Sequence, residues 1–286
     1  VTRAEFLKLA GVLGVLFLAG CSKGTATVGP ADAGLERMTV AGSTAMLPLV
    51  TEAANRFMRT HPHVAVVVEP GGSGAGIKRT LKGEVAMGMS DVFAEASDAA
   101  QLEDHKVALT GFAAMANRGT FNENVNSVSM EQLRGVFTGR LKNWAELGGR
   151  QQPIIVINRK KGSGTRTTFG RIVLDGDDFV AGPEEDSSAQ VLTLLEQTPG
   201  AISYLGLAYQ RDSVKPLAIS NIAATNDNVA NGTYPIWSYE HLYTRGPPQG
   251  ASKEFIAFIL STEVQSELLP KNGFTPIATA RPAQPQ

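Results

Sequence analysis

Three stretches of this chain combine glycine with small hydroxyl residues: Ala41-Gly42-Ser43-Thr44, Gly71-Gly72-Ser73-Gly74-Ala75-Gly76 and Gly162-Ser163-Gly164-Thr165. The chemistry open to them is anion capture. The start of a helix leaves backbone N–H groups unpaired and carries partial positive charge, glycine lets that backbone approach closely, and serine and threonine add hydroxyl donors. Arg159, four residues before Ser163, offers a planar fork of donors suited to two oxygens of a tetrahedral anion. Asp91, closing Met87-Gly88-Met89-Ser90-Asp91, could face the same cleft. Each residue also has a plain structural reading: the serines and Asp91 as helix caps, Arg159 as a solvated surface group. The recurrence of one loop type beside an arginine argues for convergence on one site.

The elements that must position these loops are apolar runs leading into them and helices leading out. Val64-Ala65-Val66-Val67-Val68 and Ile154-Ile155-Val156-Ile157 are continuous apolar runs, expected as strands buried on both faces. Leu49, Ala53 and Phe57, flanked by Val50, Ala54 and Met58, follow helical spacing, as do Phe255 with Ile259 and Ile256 with Leu260. Strand, loop and helix in alternation predict an α/β fold with largely parallel sheets, whose loops at the carboxyl ends of strands take ligands. With 286 residues, 43% of them hydrophobic, the chain can build two cores of about 100–150 residues each. A formal net charge of -1 gives no field for nucleic acid or an anionic membrane, so an anion site must be local. No pattern calls for a cofactor or a metal.

Cys21 is the only cysteine, which removes disulfide frameworks. Arg3 and Lys8, the apolar run Leu9 to Leu18 and then Leu18-Ala19-Gly20-Cys21 have the order of an export signal and are too short to span a bilayer. Leu-Ala-Gly-Cys resembles the lipobox of bacterial lipoproteins, which implies lipidation at Cys21 and a protein held outside the cytoplasm by a lipid anchor. Residues 22–35, rich in small and polar residues, read as a flexible tether.

The ordered set of motifs resembles the phosphate-binding proteins of ABC transporters. It comprises the three loops, Met89-Ser90-Asp91, Arg166 after the third loop, Thr198-Pro199-Gly200-Ala201-Ile202-Ser203-Tyr204 and Tyr234-Pro235-Ile236-Trp237. The resemblance runs from Glu36 to Ala278. It implies a two-lobed periplasmic-binding-protein fold of type II, with two crossover segments and a ligand cleft between lobes. It further implies capture of inorganic phosphate and delivery to a permease. On this sequence the resemblance maps phosphate binding to Ser43, Thr44, Ala45, Ser73, Asp91, Arg159, Ser163, Gly164 and Thr165. Lobe 1 is expected over 36–112 plus 240–286, lobe 2 over 113–239, and the protein is expected to be a monomer. Many relatives carry an acidic residue between the arginine and the third loop; Lys160 and Lys161 stand there in this chain, so the site is expected to be more positive.

Two rival classes meet the same residues. A hydrolase would need a nucleophile elbow, but Ala75 and Thr165 take the last position of Gly-x-Ser-x-Gly, and Lys161 precedes Gly162 rather than following a P-loop glycine. A receptor for sulfate, arsenate, molybdate or tungstate would share the fold, and Asp91 favours a ligand that still carries a proton. His61-Pro62-His63 and Asp175-Gly176-Asp177-Asp178 read as surface turns rather than metal sites.

Overall fold

A computed structural model describes residues 34–120 and 125–277. Its first strands, β1 (Glu36–Gly42), β2 (Val64–Pro70) and β3 (Met87–Ser90), alternate with helices α1 (Leu47–Thr60) and α2 (Ser73–Leu81). After the short α3 (Ala96–Ala99) comes the fifteen-residue strand β4 (Glu103–Asn117). The middle of the chain holds β5 (Ser127–Val128), α4 (Met130–Phe137), β6 (Ile155–Val156), β7 (Asn158–Arg159), α5 (Gly164–Phe169), β8 (Glu184–Glu185) and α6 (Ser188–Gln197). It continues through β9 (Ala201–Gly206), β10 (Val214–Pro216), β11 (Ala218–Ile219) and α7 (Asn226–Ala230). The return runs along β12 (Trp237–Thr244) to α8 (Gly250–Ile259) and α9 (Leu269–Lys271).

One sheet carries the order β2-β1-β3-β12-β4-β9-β6, with β10 also paired to β4. Its wings are parallel, β1 with β2 and β3, and β6 with β9. The centre is antiparallel, because β4 carries the chain away from the first lobe and β12 brings it back. The expectation of largely parallel sheets therefore holds for the wings and fails for these crossing strands.

Two apolar cores lie on either side. Val40, Leu49, Phe57, Met87, Ala108, Leu242 and Phe255 belong to the first; Leu109, Phe112, Phe137, Trp144, Phe169, Tyr204 and Trp237 belong to the second. The change of core falls at Ala108–Leu109 on β4 and between Trp237 and Leu242 on β12. In the second core the rings of Phe169 and Tyr204 stack at 4.5 Å between centroids. Three apolar expectations need correction. Val67 is 43% exposed and Ile154 and Ile155 are only half-buried, because β2 and β6 are the two edges of the sheet. Leu260 is 44% exposed because it caps the end of α8 rather than facing the core.

The helix that presents the second loop is seated by a glycine. A Cβ at Gly76 would lie 2.7 Å from the Met89 carbonyl oxygen, 2.8 Å from that of Ala41 and 2.9 Å from the Gly42 Cα, all backbone atoms that cannot swing aside. Gly76→Ala is expected to destabilise by about 1–3 kcal/mol, read by calorimetry as a Tm lower by roughly 2–10 °C. Gly71→Ala, whose Cβ would meet only the Ala75 Cβ at 3.5 Å, should melt near the wild type.

Candidate functional site

The loop after β1 turns at Gly42, whose φ of 140° and close approach to the Met89 carbonyl exclude a side chain. The turn delivers two hydroxyls into the seam between the lobes. Ser43 Oγ accepts from the Ala45 amide at 3.1 Å and donates to Asp91 Oδ1. Thr44 Oγ1 accepts from Arg159 Nη2 at 3.0 Å and from the Ser188 amide at 3.1 Å, which leaves its proton for Ser188 Oγ at 3.2 Å. Ser73, the first residue of α2, accepts from the Asp91 amide at 3.0 Å.

Asp91 is 1% exposed and bonded on all sides. Besides Ser43, Thr165 Oγ1 donates to its Oδ2 at 2.7 Å, and its carbonyl accepts from Ser238 Oγ at 2.7 Å and Thr168 Oγ1 at 3.2 Å. Arg159, carried by β7, is equally buried. Its Nη1 donates to Ser188 Oγ and its Nη2 also to the Asp186 carbonyl, both at 3.0 Å, while its Nε has no partner among the described residues. Burial pulls the guanidinium below its ordinary value, and the charge of Asp91 opposes that shift.

All nine residues expected from the sequence lie in or beside this seam, with different duties. The cap reading holds for Ser163, whose Oγ accepts from the Arg166 amide at 3.3 Å at the start of α5. It fails for Ser43 and Ser73, since α1 and α2 begin after Met46 and Gly72 without a side-chain cap, and for Asp91. Gly164 works by absence: a Cβ there would overlap the Ser73 hydroxyl and lie 3.1 Å from the Asp91 Cβ, so the two lobes could not meet. They do meet, and the Gly74 amide donates to the Gly162 carbonyl at 3.1 Å.

A cleft of about 540 Å³ opens above the seam, lined in part by Thr44, Gly72, Lys161, Ser163, Asp186 and Tyr209. The lysines sit at this rim, not in the buried ring. Lys160 Nζ lies 2.9 Å from Asp186 Oδ2, which offsets the charge of that lysine. His61 stacks on Phe57 at 3.9 Å, and Arg134 holds Asp177 at 2.9 Å. Cys21 and the tether lie outside the described residues, apart from Gly34 and Leu35.

Four groups escape the sequence reading. Ser188 is fully buried between Thr44 and Arg159, and the pair Ser187-Ser188 at a helix start was its only signal. Tyr209 donates to the Thr44 carbonyl at 2.6 Å, and Tyr204 accepts from the Arg159 amide at 3.1 Å. Glu240, fully buried on β12, is the fourth. Tyr204 closes the motif that begins at Thr198, and nothing local marks Tyr209 or Glu240.

A buried arginine and a buried carboxylate, ringed by hydroxyls and closed between lobes that two crossing strands join, define a two-lobed receptor for a small oxyanion. Residues 25–263 match the model of the PBP superfamily domain, and the chain belongs to that superfamily. It is 43% identical over 244 residues to the phosphate-binding protein PstS of Bacillus subtilis, covering 84% of this chain and 80% of that one. Among solved structures it is similar to a phosphate ABC transporter substrate-binding protein from Clostridium perfringens with bound phosphate. That match has a TM-score of 0.79 and 29% identity, over 85% of this chain and all of the other. An ABC-type phosphate transport receptor from Vibrio cholerae matches with a TM-score of 0.68 and 27% identity, over 83% and 99%.

Burial raises the hydroxyls of Tyr204 and Tyr209 from an ordinary 10.0 to about 12, more than Arg159 lowers them. Below pH 10 the folded and unfolded chains hold these protons alike. Between pH 10 and 12 only the unfolded chain releases them, so stability falls as pH rises. Urea titrations across that interval should show the fall, and Tyr209→Phe should make it shallower.

Proposed function

We propose that this protein captures inorganic phosphate in the seam between its lobes, outside the cytoplasm, and hands it to the permease of an ABC transporter. The observation that carries the reading is Asp91: a buried carboxylate beside a buried arginine, within a ring of hydroxyl donors. An anion receptor gains from such a group only if the ligand brings a proton to it, and phosphate near neutral pH does so whereas sulfate does not. Two unit charges about 4 Å apart repel by roughly 4 kcal/mol at an effective dielectric near 20, enough to reject an unprotonated anion. The relatives named for phosphate binding support the same ligand.

In this reading Ser43, Thr44, the Ala45 amide, Ser73, Arg159, Ser163, Gly164 and Thr165 surround the phosphate, and Asp91 accepts its proton. Lobe 1 takes 36–112 with 240–286 and lobe 2 takes 113–239, so that β4 and β12 act as the hinge. Cys21 carries the lipid that holds the protein at the membrane; no helix among the described residues is long and apolar enough to cross one. The protein binds and releases as a monomer without turnover. Ser73 and Ser163 engage backbone amides rather than a base, as a receptor needs and a hydrolase does not.

The test is a calorimetric titration of the soluble form beginning after Cys21 with phosphate, sulfate and arsenate. Saturable one-to-one phosphate binding is expected, weakened by about 100-fold or more in Arg159→Ala, since several hydrogen bonds to a charged group are lost at once. Asp91→Asn should shrink the preference for phosphate over sulfate by about tenfold or more. A wild-type preference for sulfate or a metal oxyanion would refute the ligand and keep the fold; turnover of a phosphate ester would refute the receptor.

A further inference from the structure

Glu240 stands on β12 two residues after Ser238, whose hydroxyl donates to the Asp91 carbonyl, so both side chains leave the strand on the face turned to Asp91. The opposite face carries Tyr239, His241 and Tyr243, whose rings contact one another. Among the described residues no donor reaches either oxygen of Glu240, which is fully buried. The residue toward which that face turns is Asp91, whose carboxylate is another acceptor.

The charged groups on neighbouring elements are engaged elsewhere or face away. On β4, Asp104 and His105 bond His241 and Thr244, Lys106 lies over the rings of Phe93 and Tyr239, and Glu103 pairs in register with Thr244 at the far end of β12. On α2, Arg79 is paired with Glu69 and Glu84, and Lys78 lines an opening beside Phe93. Strand β3 has no charged residue. Among the described residues, the charge that bears on the Glu240 carboxyl is that of Asp91.

We propose that Glu240 is a positioning residue: it carries the proton of a carboxyl–carboxylate pair and donates it to Asp91, so that the pair holds one negative charge. Two facing carboxylates in a dry site cannot both ionise without repulsion, and a shared proton turns that conflict into a hydrogen bond. Burial first, and then the charge of Asp91, push the Glu240 carboxyl well above the ordinary carboxylate range. Ser43, Thr165 and Glu240 then hold Asp91 from three directions, fixing the oxygen edge that meets the ligand. A doubly ionised pair would instead set a second negative charge against the incoming anion. For its ligand this inference rests on the phosphate reading above; for its proton it does not.

The proton is tested without ligand. At neutral pH the infrared spectrum of the phosphate-free protein is expected to contain the C=O stretch of a protonated carboxylic acid, missing from Glu240→Gln and shifted in Asp91→Asn. Should Glu240→Gln not fold, the shift in Asp91→Asn carries the assignment. Selectivity is tested by titration with phosphate and sulfate. Glu240→Leu, which deletes the donor, should lower the phosphate preference about tenfold or more, as for one lost hydrogen bond to a charged acceptor. Glu240→Gln, whose amide can donate, should recover most of that loss. Absence of the protonated-acid band from the wild type, or a Glu240→Gln variant as unselective as Glu240→Leu, overturns the proposal. If the wild type shows the band and binds no phosphate, the shared proton stands and the failure belongs to the proposed ligand.

Discussion

A carboxylate taken out of water loses several kcal/mol of hydration unless donors replace the solvent. Asp91, 1% exposed, is where this molecule meets that demand, and much of its architecture follows from the replacement. The donors come from both lobes: Ser43 after β1 on one side and Thr165 from α5 on the other reach the carboxylate, while Thr168 and Ser238, the latter from the crossing strand β12, hold the Asp91 backbone carbonyl. They can converge only if the backbones approach closely, which is why the seam is glycine-rich at Gly42, Gly76 and Gly164, where a single methyl group would strike backbone or the Ser73 side chain. Arg159 supplies the opposite charge from the second lobe and is itself held by Thr44 of the first. The site is therefore also the contact that closes the lobes.

Closure of this kind needs a joint that can bend without breaking either core. In the proposed reading strands β4 and β12 are that joint, and they pair from Glu103 with Thr244 to Gly111 with Trp237 and so run through both cores. Their register slips between Glu240 and His241, beside the point where the chain passes from one core to the other. A bulge at that point lets the paired strands bend and re-aims the side chains that follow it. Glu240 faces Asp91 from one side of the slip while His241 turns to Asp104, so the joint and the anion site share a residue boundary.

What was legible in the sequence was whatever obeys a local rule. The three glycine-hydroxyl loops could be read because a tight turn into a helix demands those residue types within a few positions. Arg159 and Asp91 could be read through the resemblance of the ordered motifs, since each taken alone reads as a surface arginine or a helix cap. Ser188, Tyr209 and Glu240 could not, because their burial is decided by residues far along the chain: Thr44 lies 144 positions from Ser188 and 165 from Tyr209. Hydroxyls and carboxyls of that kind look the same on a surface and in a dry seam until the fold is known. Edge position escaped for the same reason, since the run Val64-Ala65-Val66-Val67-Val68 does not announce that only one neighbour covers it.

The lysines show how a departure in sequence can be absorbed in space. Lys160 and Lys161 stand side by side just before the third loop, and read along the chain they would flood the site with positive charge. The fold brings Asp186 to Lys160 from 26 residues away. Its carboxylate takes Lys160 at the rim, and its carbonyl takes Arg159 in the buried ring, so one residue tempers the outer charge while fixing the inner one. An exposed pair of that kind is screened by salt and contributes little to stability. It sits apart from the buried pair of Arg159 and Asp91, so under the phosphate reading proposed above discrimination between anions falls on the protons held in the seam rather than on the charges at its mouth.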